Sequence, residues 1–210
     1  FFFKQKTAYE ISTRDWSSDV CSSDLDCYLE KFEIIEKHFK GTLVMKQFLL
    51  GEDLLSWSKL VSLAATPNPA VDVTSKSWTR LDRFRSLVEA AIESGKTIYG
   101  INTGFGFLSD VRIEKDKLQT LQYNLIRSHA CGVGESASPE VVRALLILRA
   151  HTFLLGHSAV SRKPVETILQ FLKHDILPVV PVQGSVGASG DLAPLSHVAL
   201  GLIGEGEVFY

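Results

Sequence analysis

Apolar residues recur at helical spacing along most of this chain. Leu81, Phe84, Leu87, Val88, Ala91 and Ile92 lie on one stripe, which predicts a helix with Thr79 as its cap and Gly95 as its terminator. Leu118, Leu121, Leu125 and Ile126 keep the same period up to Cys131-Gly132. Ser138-Pro139 reads as an N-cap followed by proline in the first turn, and the segment it opens, VVRALLILRAHTFLL, is apolar almost all round, the pattern of a helix inside a bundle. Pro164 starts a further helix with Val165, Ile168, Leu169 and Leu172 inward, stopped by Pro178 and Pro181. A last helical pattern, LAPLSHVALGLIG, follows Asp191 directly. Nearer the start, Leu43 to Phe48 suits a strand, and Gly51-Glu52-Asp53 opens an amphipathic segment through Leu54, Leu55, Trp57 and Leu60 that Pro67-Asn68-Pro69 breaks. With no internal repeat, heptad run or low-complexity linker, the fold class is mainly α with a few short strands.

Residues 1–25, FFFKQKTAYEISTRDWSSDVCSSDL, carry neither period. They resemble a translated sequencing-adapter sequence joined to a reading frame, so they are expected to be a non-native or disordered leader, with residues 26–210 as the folded part.

Composition narrows the function classes. The 210 residues are 45% hydrophobic, enough for a substantial core. Lys+Arg number 22 against 24 Asp+Glu, a formal charge of -2, so no basic excess points to nucleic acid or to an anionic membrane. Cys21, Cys27 and Cys131 form no CxxC pair, which suits a reducing, cytoplasmic setting. No apolar run approaches the roughly 18 residues of a membrane span.

Three familiar patterns fail on inspection. Gly156-His157-Ser158-Ala159-Val160 starts like a nucleophile elbow but has valine where G-x-S-x-G needs glycine. Gly104-Phe105-Gly106 lacks the third glycine of a dinucleotide loop. His151 and His157 have no carboxylate at ligand spacing, and no metal is expected.

What remains is an ordered trio: YGINTGFGFL from Tyr99, NLIRSHACGVGE from Asn124, and GSVGASGDLAPLSH from Gly184 to His197. Taken alone, the last is a glycine-rich loop before a helix, which reads equally as a bare turn or an anion-binding nest. Together the three closely resemble the motifs of the aromatic amino acid ammonia-lyases. The resemblance covers about residues 45 to 210 and implies the N-terminal part of that family's helical fold, stopping before its central bundle is complete.

The resemblance also implies a chemistry. The family eliminates ammonia from an amino acid whose β-proton is hardly acidic and whose amine leaves poorly, and ordinary side chains are nucleophiles or bases rather than strong electrophiles. Its solution is 4-methylideneimidazole-5-one (MIO), made autocatalytically from an Ala-Ser-Gly tripeptide, here Ala188-Ser189-Gly190. The nitrogen of Gly190 must reach the carbonyl carbon of Ala188, so small neighbours are needed, and Ser189 supplies the methylidene carbon by dehydration. Gly184, Gly187 and Gly190 tolerate the strain, and Asp191 is expected to cap the following helix and steady the loop. Tyr99 corresponds to the family's proton-abstracting tyrosine, with Gly106 in the same loop letting backbone approach the substrate. Ser128-His129 corresponds to the pair that reads the substrate ring, and suits an imidazole.

The implied reaction is that of a carbon-nitrogen lyase of histidine catabolism, L-histidine to trans-urocanate. Tyrosine to coumarate, or phenylalanine to cinnamate, is the alternative. The implied assembly is a cytoplasmic homotetramer whose later helices and neighbouring subunits complete the site, so this segment alone is expected to be inactive. A reading of another class, a non-catalytic helical interaction module, draws on the apolar run Val141 to Leu155.

Overall fold

The computed structural model describes residues 5–7, 47–95, 97–104, 113–186 and 190–210. Among these residues the fold is mainly α. Six helices are present, α1 (Trp57–Ala64), α2 (Ser75–Glu93), α3 (Leu118–His129), α4 (Pro139–Leu154), α5 (Arg162–Lys173) and α6 (Leu192–Leu202). Seven short strands join them: β1 (Gln5–Thr7), β2 (Phe48–Leu49), β3 (Val71–Asp72), β4 (Val133–Ser136), β5 (Leu177–Pro178), β6 (Pro181–Gln183) and β7 (Glu207–Phe209). They form a three-stranded sheet in the order β1-β7-β5, a parallel β2-β3 pair and an antiparallel β4-β6 pair.

Helix α4 is the axis of the core. Leu146, Ile147, Ala150 and Leu154 are fully buried, with α1, α2 and α5 packed around them. Its apolar faces are therefore largely covered by this chain's own helices, although Val141 and Leu148 stay exposed. Helix α5 contributes Val165, Ile168 and Leu172 to the same core, with Leu169 half-buried beside them. Apart from these helices, α3 packs against α6, and that pair carries the site described below.

Three helix starts differ from the periodicity reading. Helix α1 begins after Ser56, whose Oγ accepts from the Lys59 amide at 3.3 Å, not at Gly51. Residues 49–53 are instead a turn in which the Leu49 carbonyl accepts from the amides of Glu52 and Asp53. Gly51 has φ +80°, and a Cβ there would lie 2.7 Å from that of Leu154. Arg80 donates to the Gly51 carbonyl at 2.7 Å, and the buried, neutral His151 accepts the Gly51 amide at 3.1 Å. Burial, reinforced by the charge of Arg80 and opposed by Asp53, lowers the His151 pKa. Leu54 and Trp57 consequently face solvent.

Helix α2 is capped by Thr74, which accepts from the Ser77 amide at 3.2 Å. Thr79 sits inside that helix and donates to the Ser75 carbonyl at 2.9 Å. Of the predicted stripe only Leu81 is buried, while Leu87 is exposed. The polar first turn Ser75-Lys76-Ser77 carries no apolar period, which hid the true start. Helix α5 likewise begins before Pro164, after Ser161.

Of the predicted strand at 43–48, Phe48 is in strand β2 (Phe48–Leu49); residues 43–46 lie outside the described residues. Of the leader only Gln5–Thr7 is described, as a strand antiparallel to β7.

One buried ion pair pins three elements. Arg143 on α4 is 4% exposed and donates from Nε and Nη2 to the two carboxylate oxygens of Asp175 at 2.6 and 3.1 Å. Its Nη1 reaches the Ala64 carbonyl at the end of α1 at 3.2 Å. The Asp175 carboxylate raises the Arg143 pKa further above its ordinary range. Removing one partner of such a pair leaves a buried charge uncompensated. Asp175→Asn, which suits the residue's φ of +51°, is therefore expected to lower stability by about 2 kcal/mol, measured as a shift in the denaturant midpoint; an unchanged midpoint would show that the charge of the carboxylate is not needed there.

Candidate active site

The loop carrying Tyr99 is closed on itself. The Ile98 amide donates to Asn102 Oδ1 at 2.7 Å and the Gly100 amide to Thr103 Oγ1 at 3.3 Å. Asn102 and Thr103 are buried at 2% and 1% exposure, so these polar side chains act as the inner frame of the turn. Gly100 takes φ +77° with nothing within 4 Å of a Cβ there among the described residues, a backbone conformation that calls for glycine. The turn presents Tyr99 outward, 64% exposed. Gly106 lies outside the described residues.

Ser128 and His129 end α3. His129 Nδ1 lies 2.8 Å from the Leu125 carbonyl, an oxygen that can only accept, so Nδ1 carries the proton. In the neutral ring Nε2 is then a hydrogen-bond acceptor. Ser128 Oγ donates to the same Leu125 carbonyl at 2.9 Å and sits 3.1 Å from His129 Nδ1. Its proton is committed within the helix, so Ser128 steadies the ring and toward a ligand can only accept.

The third motif begins where β6 ends. Ala188, Ser189 and Gly187 lie outside the described residues, and the segments on either side are held together across them. Ser185 donates its hydroxyl to Asp191 Oδ1, so Asp191 stands at the N-cap of α6 without bonding its amides. The expected cap is thus replaced by a staple across the tripeptide: the carboxylate that reaches Ser185 is turned away from the helix end. Gly190 has φ +105°, a conformation that by itself favours glycine.

The second and third motifs meet. Strand β4 leaves α3 and pairs antiparallel with β6, Val133 opposite Gln183 and Ser136 opposite Pro181. At the crossing, a Cβ on Gly184, at φ +126°, would come within 2.9 Å of the Gly132 Cα. The Gly132 amide donates to His197 Nε2 on α6 at 3.0 Å. Arg127, one residue before Ser128, makes a two-pronged pair with Glu205 beyond α6, at 2.5 and 2.7 Å. Each partner shifts the other toward its charged form, lowering the Glu205 pKa and raising that of Arg127. Sequence reasoning missed Arg127, Ser185, His197 and Glu205 as members of the frame. Three of them lay inside the quoted motifs, but their partners are set by the packing of α3 on α6.

Comparison with known proteins places relatives beside this chain. The family model for aromatic amino acid lyases matches residues 55–210. The histidine ammonia-lyase of Macrococcus caseolyticus is 49% identical over 166 residues, 79% of this chain and 33% of that protein. The Bacillus cereus histidine ammonia-lyase is 58% identical over 134 residues, 64% of this chain and 26% of that protein. This chain therefore spans about a third or less of the length of these relatives. Among solved structures, the histidine ammonia-lyase of Trypanosoma cruzi superposes with a TM-score of 0.69 at 34% identity, covering 77% of this chain and 30% of that one. The ergothioneine-degrading enzyme ergothionase from Treponema denticola gives 0.73 at 33% identity, covering 77% and 32%. With the family model matched over three quarters of the sequence and relatives 49–58% identical to it, the chain belongs to the aromatic amino acid lyase family.

Proposed function

We propose that this chain supplies the electrophile-bearing part of an ammonia-lyase that converts L-histidine to trans-urocanate. The observation that carries the reading is the meeting of the Ser128-His129 helix end with the loop flanking Ala188-Ser189-Gly190, through the β4-β6 pair and the Gly132 bond to His197. The residues present suit MIO formation. Gly190 has no side chain to obstruct its nitrogen, and the Ser185–Asp191 staple holds the ends of the loop together. In the cyclisation the Gly190 nitrogen bonds to the Ala188 carbonyl carbon, and two waters leave, one of them taking the Ser189 hydroxyl. The group so formed supplies an electrophile toward which the substrate's electron-rich end is drawn.

The chain's own side chains then bind and deprotonate. His129 Nε2 accepts a hydrogen bond from a ring N–H of an imidazole substrate; a phenol hydroxyl can donate to it as well, whereas a bare phenyl ring cannot. This supports histidine or tyrosine over phenylalanine, and the 49–58% identity to histidine ammonia-lyases supports histidine. Tyr99 removes the β-proton from its glycine-bearing turn. Because Tyr99 is 64% exposed in this chain, the walls that exclude water around it come from the remaining length of the enzyme and, in a homotetramer, from neighbouring subunits. A non-catalytic helical module has less support, since α4 is already covered by α1, α2 and α5.

The test is a direct assay of an enzyme of the relatives' full length carrying this segment. Urocanate and coumarate differ in ultraviolet absorbance, so histidine and tyrosine are followed side by side. Histidine is expected to be turned over with the higher kcat/KM; preference for tyrosine would overturn the substrate while leaving the electrophile in place.

A further inference from the structure

We propose that His197 is a positioning residue: by accepting the Gly132 amide it sets how the end of α3 that carries the ring-reading His129 sits against α6, the helix that follows Ala188-Ser189-Gly190 in the chain. This rests on the reading of those residues as ring contact and electrophile. Gly132 follows His129 by three positions, and His197 lies in the second turn of the helix that leaves the tripeptide. The 3.0 Å bond between them therefore ties the end of α3 to the helix that follows the tripeptide.

The joint has no slack. A Cβ on Gly132 would lie 2.9 Å from His197 Nε2 and 3.2 Å from Pro181 Cβ, and one on Gly184 would lie 2.9 Å from the Gly132 Cα. Two bare backbones and an imidazole edge thus close on one another, so a change in the ring moves backbone. The bond needs a neutral ring with its proton on Nδ1, and burial lowers the His197 pKa in the direction that keeps it neutral. The β4-β6 pair fixes the strands that flank the joint, while the side-chain tie to the far end of α6, Arg127–Glu205, is partly exposed, with side chains at 51% and 35%, and water competes for it; His197 is the side-chain link between Gly132 and α6 itself.

Reacting atoms displaced by about 1 Å cost up to about 10²-fold in rate, while a ring contact made by His129 alone continues to hold substrate. In an enzyme of full length, His197→Phe keeps a ring and loses the acceptor; His197→Gln carries an amide oxygen close to the position of Nε2. The phenylalanine variant is expected to lose about 10- to 100-fold in kcat with KM changed less than about threefold. Its tripeptide should still show the two-water mass loss, and the glutamine variant should recover most of kcat. Should His197→Phe fail to give soluble protein, His197→Asn, whose amide falls short of Gly132, takes its place as the variant without the acceptor. Equal kcat in the acceptor-free and glutamine variants, or a loss confined to KM, overturns the positioning role. Absence of the two-water loss in the parent enzyme sinks the electrophile reading instead, whatever the His197 variants do.

Discussion

Ser189→Ala, in an enzyme of the relatives' full length, is expected to lower kcat for histidine by at least about 10³-fold. The argument is one of bonding. The methylidene carbon arises from the Ser189 side chain by loss of its hydroxyl, and alanine has nothing to lose. Without that carbon the site holds only side chains that donate electron pairs or protons, none of which draws electrons from an amine or a ring. Binding through His129 is untouched, so KM should move much less than kcat. Because alanine adds no bulk to the encoded loop, the variant should still give soluble, folded protein. Activity within tenfold of the parent would show that the reaction runs without a serine-derived electrophile.

The second large effect is at Tyr99. Tyr99→Phe keeps the ring and deletes the oxygen that takes the β-proton, so turnover should drop by about 10² to 10⁴ or more, the range for lost acid-base catalysis. Stability should change little, because the ring is 64% exposed and the turn beneath it is framed by Asn102 and Thr103. MIO formation should survive, since Tyr99 is not among the atoms that cyclise. Turnover and the MIO absorbance are to be measured on one preparation. Intact absorbance with near-normal turnover would assign the proton to another group.

The contrast between these residues and their supports shows what the sequence could carry. The helices were legible wherever apolar residues met a core: Val165, Ile168 and Leu172 on α5 are buried as their spacing predicts, and α4, read as apolar almost all round, buries Leu146, Ile147 and Leu154. Helix starts were legible at Ser138-Pro139 and after Asp191, where a cap residue sits directly before the apolar pattern. At Thr74 and Ser56 the cap precedes a polar turn, and period alone placed the start elsewhere. The leucine at 87 obeys the stripe yet meets no partner, because a stripe predicts a face and not what covers it. The two-residue strands β2, β3 and β5 are too short for any alternation to register.

The site divides in the same way. Residues that would do chemistry lie in contiguous motifs, because loops carry their residue types with little constraint from packing. Those that hold the motifs in register do so over long separations. His197 meets Gly132 and Glu205 meets Arg127 because α3 lies on α6. Asp191 illustrates the limit: its place before α6 was correct, but its carboxylate goes to Ser185 and not to the helix amides. A local rule named the residue, and a competing partner six positions away decided its bond.

The central claim, that Ala188-Ser189-Gly190 becomes the electrophile, is tested most directly by mass spectrometry of the peptide containing it, taken from active enzyme of full length. The account predicts a mass lower than the encoded sequence by two waters, localised to those three residues and absent from Ser189→Ala. An unmodified peptide recovered from enzyme that deaminates histidine would contradict it.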